Sequence, residues 1–216
     1  MNTVCHAVFL IWLSLAGIQF SNAQVFETRI TTGVNFAHIK GDGLSGMKKT
    51  GLSAGLGITS PLSQKIDWNV DLLYNRRGSS QKFKPGKHSN YPGISLHYAD
   101  IPVYLSFKDW EYLNNRGETT HRMKFNAGIT LGRLLKSAIH DSFNGNPDDL
   151  IELERRFQKT DIGWLIGAGV HILDKVSFNL RYTRSIRPIF DSKKNSDIRA
   201  GSLLGSFISV NIGYHL

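Results

Sequence analysis

The sequence predicts an all-β fold, an eight-stranded antiparallel transmembrane β-barrel with short periplasmic turns and long extracellular loops. Three observations carry that expectation. The chain opens on a stretch with the character of an export signal. Its last eleven residues, SFISVNIGYHL, alternate strictly, with Ile208, Val210, Ile212, Tyr214 and Leu216 on one face and Phe207, Ser209, Asn211, Gly213 and His215 on the other. A strand of about 10 residues with one apolar and one polar face suits a barrel in lipid. Third, the connections alternate between short and long.

Residues 1–23 read as a signal peptide. Val8–Phe20 is apolar, and Ser21-Asn22-Ala23 places small residues before a cleavage point at Gln24. The apolar run is short of the ~20 residues that a spanning helix needs. Residues 24–216 then form one domain, the barrel. Cys5, the only cysteine, leaves with the signal. The mature chain therefore holds neither a disulfide framework nor a thiolate metal site. No later apolar run approaches a spanning helix, so a membrane protein made from this chain has to be a closed barrel.

Strands are expected near 25–38, 50–60, 65–76, 96–107, 121–134, 160–172, 175–185 and 204–216, where period two fits better than a helical period. Glycine recurs within them, as in GLSAGLG (51–57) and GWLIGAG (163–169), leaving room for bulky lumenal neighbours. One stretch, PDDLIELERRF (147–157), reads as a helix, with Pro147 in its first turn and acids following. The connections at 60–64 and 173–175 are tight, and 108–120 is moderate. Those at 39–49, 77–95, 135–159 and 186–203 are long. This is the asymmetry of an outer-membrane barrel, with the short side periplasmic.

One phase of each strand is apolar. Strand 3 offers Ile66, Trp68, Val70, Leu72 and Tyr74; strand 7 offers Val176, Phe178, Leu180 and Tyr182. The opposite phase holds the acids Glu27, Asp67, Asp71, Asp100 and Asp161 and the bases Arg29, Lys124 and Arg181. Eight strands leave an interior just wide enough for side chains to fill. These residues are therefore expected to form a lumenal polar network, with Arg181 paired to one or more of the aspartates. A soluble barrel of lipocalin type would instead put its apolar phase inside and its charges outside.

The net charge is +9, and the long loops carry most of it. The second is the most basic, with Arg76, Arg77, Lys82, Lys84 and Lys87 and no acid between 76 and 95. It is expected to bind an anionic surface, with Arg76 and Arg77 at the membrane boundary. Outer-membrane lipid, lipopolysaccharide or an acidic partner would supply the anion. The bland alternative is a solvated loop.

The stretch LHYADIPVYLSFK (96–108) resembles the "Tyr-x-Glu-Ile-Pro-Leu-hydrophobic-Lys" stretch of the outer-membrane β-barrel domain family common in Bacteroidetes, with Asp100 in the acidic position. That group includes the PorT secretion and gliding component. FNAGITLGRLL (125–135), KTDIGWLIGAGV (159–170) and FNLRYTRSI (178–186) resemble its fifth, sixth and seventh strands in order and spacing. The terminus departs from the family's common Phe, ending Tyr214-His215-Leu216. The resemblance implies an outer-membrane barrel and supplies no activity.

Chemistry is otherwise sparse. The histidines are scattered, and no HExxH, phosphate loop or nucleophile elbow is present. No metal, cofactor or nucleic-acid partner is expected. The leading expectation is a non-enzymatic, monomeric barrel with a filled polar lumen and a structural or surface-binding role, accessory work in secretion included. The alternatives are a surface hydrolase acting on lipid A or peptide, with His97 and Ser95 as the nearest pair, and a small-solute pore.

Overall fold

The computed structural model describes residues 26–42, 46–80, 93–113, 119–140, 154–192 and 201–216. The expected signal peptide and most of the expected helix lie outside these residues; of the latter, Glu154 and Arg155 are helical. Eight strands follow in order: β1 (Glu27–Lys40), β2 (Lys49–Pro61), β3 (Ile66–Ser79), β4 (Gly93–Leu113), β5 (Thr119–His140), β6 (Thr160–Leu173), β7 (Val176–Ser185) and β8 (Leu204–His215). Each pairs antiparallel with its neighbours, and β1 closes the barrel on β8 from Arg29 opposite His215 to Lys40 opposite Leu204. Closure leaves the sheet no edge within the barrel wall, which is the condition for placing strands in lipid.

The direction of the apolar phase decides between the two barrel types. Leu56 is 61% exposed, Leu72 58%, Ile129 53% and Ile212 54%. On the opposite phase, Asn35, Asp71, Asp100 and Ser209 are buried. Apolar side chains therefore cover the outside and polar ones fill the inside. An exposed apolar belt of this extent is a lipid surface, and the lipocalin arrangement is excluded.

Three strands outrun their expected limits. β3 continues to Ser79, and β4 and β5 extend to 93–113 and 119–140. The expected moderate connection at 108–120 is thus mostly a hairpin. Charged residues and Trp110 interrupt the apolar phase there, yet the backbone keeps its pairing, with Asp109 opposite Met123 and Glu111 opposite His121. β3 reaches β4 only at Phe107, and β6 reaches β5 only at Met123. The ribbon therefore projects beyond the wall at the turn end. At the loop end β5 holds a bulge: His97 pairs with Lys136 and Tyr98 with Leu134, so Leu135 is the extra residue.

The loop end of the barrel is roofed. Ile39, Ile94, Leu96 and Tyr98 from the strands bury against Phe157, Ile189, Phe190 and Leu203 from the third and fourth long connections. Phe157 and Phe190 meet edge-on at 6.4 Å. Backbone bonds pin this layer: Gln158 N–H donates to Ile189 O, and Ile189 N–H to Leu203 O, each at 2.8 Å. Sequence periodicity gave no sign of it, because the loop residues involved follow none.

A charge placed on the outer belt tests the lipid assignment. Leu56→Arg, near the middle of β2, should cost about 2–4 kcal/mol in bilayer-refolded protein. Leu62→Arg, in the β2–β3 turn, should cost little. Equal urea midpoints for the two variants would remove the belt from the membrane.

Candidate functional site

Inward-facing side chains from all eight strands build the lumen, and three tiers of ion pairs run along it. At the turn end, Asp67 takes Lys108 Nζ at 2.8 Å and Lys124 Nζ at 3.4 Å. In the middle, Asp71 lies between two arginines: Arg29 Nη2 is 2.7 Å from Oδ1 and Arg181 Nη2 is 3.2 Å from Oδ2. The Tyr104 hydroxyl accepts from Arg29 at 2.7 Å and donates to Asp71 at 3.2 Å, and its ring lies 4.4 Å beneath the Arg181 guanidinium. Towards the loop end, Arg77 Nη2 bridges Asp100 at 3.1 Å and Asp161 at 3.2 Å. The Arg77 guanidinium lies over the rings of Tyr98, at 3.8 Å, and Phe207, at 4.9 Å.

Neutral amides and hydroxyls link these tiers. Ser209 donates to Asn35, Asn35 to Asn75, and Asn75 to Asp100, at 2.7, 2.9 and 2.7 Å. Two glycines open the space. A Cβ on Gly57 would meet Asp71 and stand 2.9 Å from Arg29 Nη2; one on Gly132 would meet Asp100 and stand 2.9 Å from Arg77 Nη2. Any side chain there would displace the ion pairs.

Five carboxylates, Glu27, Asp67, Asp71, Asp100 and Asp161, thus share the lumen with five bases, Arg29, Arg77, Lys108, Lys124 and Arg181. Arg29, Lys124 and Arg181 stand where the polar phase of the sequence places them, and Arg77 and Lys108 join them from positions expected in loops. Arg77, expected at the membrane boundary in an anion-binding loop, is instead 5% exposed inside the barrel. The reason is phase. β3 runs two residues past Arg77, and period two turns Arg77 inward with Asp67, Asp71 and Asn75. Two buried carboxylates then hold it. Lys108 follows Asp100, Tyr104 and Ser106 in the inward phase of β4 in the same way. Arg76 is on the outer face at the base of the second loop, paired across the sheet with His97. Lys82, Lys84 and Lys87 lie outside the described residues.

Ser95 and His97 form no catalytic pair. Ser95 is fully buried, its hydroxyl 3.5 Å from Arg76 Nη2, and His97 Nδ1 is bonded to the Tyr74 hydroxyl. A different trio stands at the turn end. The Ser177 hydroxyl is 2.9 Å from His215 Nε2, and His215 Nδ1 meets Glu27. This is the bonding order of nucleophile, base and carboxylate. Ser177 is only 3% exposed, however, and its hydroxyl also accepts from Asn179 at 3.1 Å. The His171 ring packs 4.9 Å from that of His215. The arrangement fills space and offers a carbonyl no approach.

Two cavities bordered by described residues are small. One, bordered by Arg29, Asp71, Arg181 and Asn211, and another, bordered by Arg77, Tyr98 and Asp161, are each about 10 Å³. That is room for about one water. Among the described residues no group of three or more His, Cys, Asp or Glu could hold a metal ion.

The sharing pattern ranks the lumenal substitutions. Arg77→Met strands two carboxylates, a loss of about 3–5 kcal/mol for a broken buried pair. Arg181→Leu leaves Asp71 still paired with Arg29 and should cost less. Lys159→Met, at the rim, should cost under about 0.5 kcal/mol. Urea unfolding of the three variants gives the order, and an Arg77 variant as stable as the Lys159 one would show that the bridge carries no stability.

Comparison with known proteins gives a family. The outer membrane protein beta-barrel domain matches residues 19–191. No curated protein matches the chain. Among solved structures, Ail, the attachment invasion locus protein of Yersinia pestis, in complex with the heparin analogue sucrose octasulfate, is similar at 12% identity and TM-score 0.45, over 88% of this chain and 99% of that one. Neisserial surface protein A is similar at 12% identity and TM-score 0.42, over 88% and 96%. A de novo designed transmembrane β-barrel follows at 9% identity and TM-score 0.39, over 88% and 95%. With a closed eight-stranded barrel, an apolar belt outside and a family match over most of its length, this chain belongs to the outer membrane protein β-barrel domain family and resides in the outer membrane.

Proposed function

We propose that this protein is a non-enzymatic, plugged barrel that holds a basic extracellular surface for binding an anionic partner. The observation that carries the reading is the separation of charge. Five acids and five bases balance inside the barrel, while the chain as a whole is +9. The excess therefore lies at the rim and in the loops. A filled lumen roofed by apolar side chains favours a scaffold over a pore. The second loop, with Lys82, Lys84 and Lys87, is the candidate contact for an acidic polysaccharide or protein. The motif resemblance to PorT-like barrels supports accessory work in secretion as the setting.

Replacing Lys82, Lys84 and Lys87 with Gln in the intact barrel should weaken retention on an immobilised acidic polysaccharide, and added salt should weaken the wild type likewise. Retention that ignores both treatments would mean a merely solvated loop. Arg77 stays unaltered in this experiment because it holds the lumen. In planar bilayers the wild type should show no stable conductance steps, and well-defined steps would return the pore reading.

A further inference from the structure

On the outer face, where the apolar belt ends at the loop side, Arg76, His97 and Lys136 stand in one row across β3, β4 and β5. Arg76 and Lys136 therefore flank the His97 ring with two positive charges on one face. Among the described residues neither Arg76 nor Lys136 pairs with a carboxylate. Arg76 Nε is buried and has no acceptor. The Tyr74 hydroxyl meets His97 Nδ1. With Tyr74 donating, the ring proton sits on Nε2 and supplies one more outward donor.

The row lies one dyad repeat beyond Tyr74 and two beyond Leu72, about 7 and 13 Å along the strand. Leu72, Ile101, Leu131 and Leu135 continue the lipid surface beneath it, and each is 43% exposed or more. The β5 bulge places Leu135 and Lys136 side by side on this outer face. An apolar wall with a cationic edge that meets no carboxylate among the described residues fits a molecule that has acyl chains below and a phosphate above. We propose that Arg76, His97 and Lys136 bind the phosphate of a phosphorylated glycolipid of the outer leaflet, whose chains lie along Leu72, Ile101 and Leu131. This site is on the wall, and it rests on the outer-membrane location but not on the second-loop reading.

The test uses the full barrel in nanodiscs containing either lipid A with its phosphates or the same lipid A dephosphorylated, with retained lipid counted by native mass spectrometry. The wild type should keep the phosphorylated form and lose the other. Arg76→Gln combined with Lys136→Gln should lower retention roughly tenfold or more, as expected for lost charge-assisted bonds to phosphate. Lys136→Ala alone, at an exposed bulge position, should show a smaller loss of the same sign and guards against misfolding of the double variant. The Lys82/Lys84/Lys87→Gln variant should retain lipid normally, so failure here and failure of the loop reading are separate results. Equal retention of both lipids, or no effect of the double variant while heat-modifiability on gels shows it folded, would overturn the site. Full displacement by inorganic phosphate would overturn it as a lipid site and leave a soluble-phosphate site.

Discussion

Closure of the sheet between β1 and β8 is the constraint from which the rest follows. It satisfies the strand edges within the wall, and in doing so it fixes an interior too narrow for bulk water. Each charge turned inward then needs a partner or a large stabilising substitute. The molecule answers with shared pairs: one aspartate between two arginines in the middle, and one arginine between two aspartates above it. Sharing is economical in a narrow tube, since each shared ion contacts two neighbours on different strands. It also ties β1, β3 and β7 together in one tier, and β3, β4 and β6 in the next, which plain ladder pairing does not do. The aromatic rings of Tyr104, Tyr98 and Phe207 complete the packing against the guanidinium faces.

Much of this was legible because period two is a rigid rule. Once Asp67 and Asp71 face inward, Asn75 and Arg77 must do so while the strand lasts. The misplacement of Arg77 came from ending β3 where the charges began. Hydropathy locates the lipid belt, and the belt is shorter than the strand. The same error hid Lys108 and the extra length of β4 and β5, whose ends leave the membrane and lose the apolar phase while keeping their hydrogen bonds. The roof was illegible for a different reason. Phe157, Ile189, Phe190 and Leu203 come from connections with no period, and only the folded wall, with Ile39, Leu96 and Tyr98 at its top, gives them a place to pack.

The polar residues inside and the cations outside obey different electrostatics. Inside, charges are desolvated, and a pair that loses a member costs several kcal/mol. Outside, beyond the belt, they are hydrated and screened over about 8 Å. Evolutionary freedom therefore differs between the two sets on physical grounds alone. A loop lysine can be exchanged with little effect on folding, so the loops are free to follow a partner. The row at Arg76 is intermediate: it sits at the edge of lipid, where screening is weaker and the local dielectric lower than in the loops.

That distinction also governs how the Ser177–His215–Glu27 arrangement should be read. A lumen filled with short polar side chains, each required to find a hydrogen-bond partner, will bring a serine, a histidine and a carboxylate into line in the course of satisfying them. Bonding order is then a consequence of packing. Catalysis asks for something packing does not provide: space about 3 Å from the nucleophile for a reacting carbon, and donors for the developing oxyanion. Around Ser177 that space is taken by Asn179, by the Arg29 stem beside Gly213 and by the mutually tilted rings of His171 and His215. The same close packing that fills the lumen takes up the room beside Ser177 that a nucleophile would need.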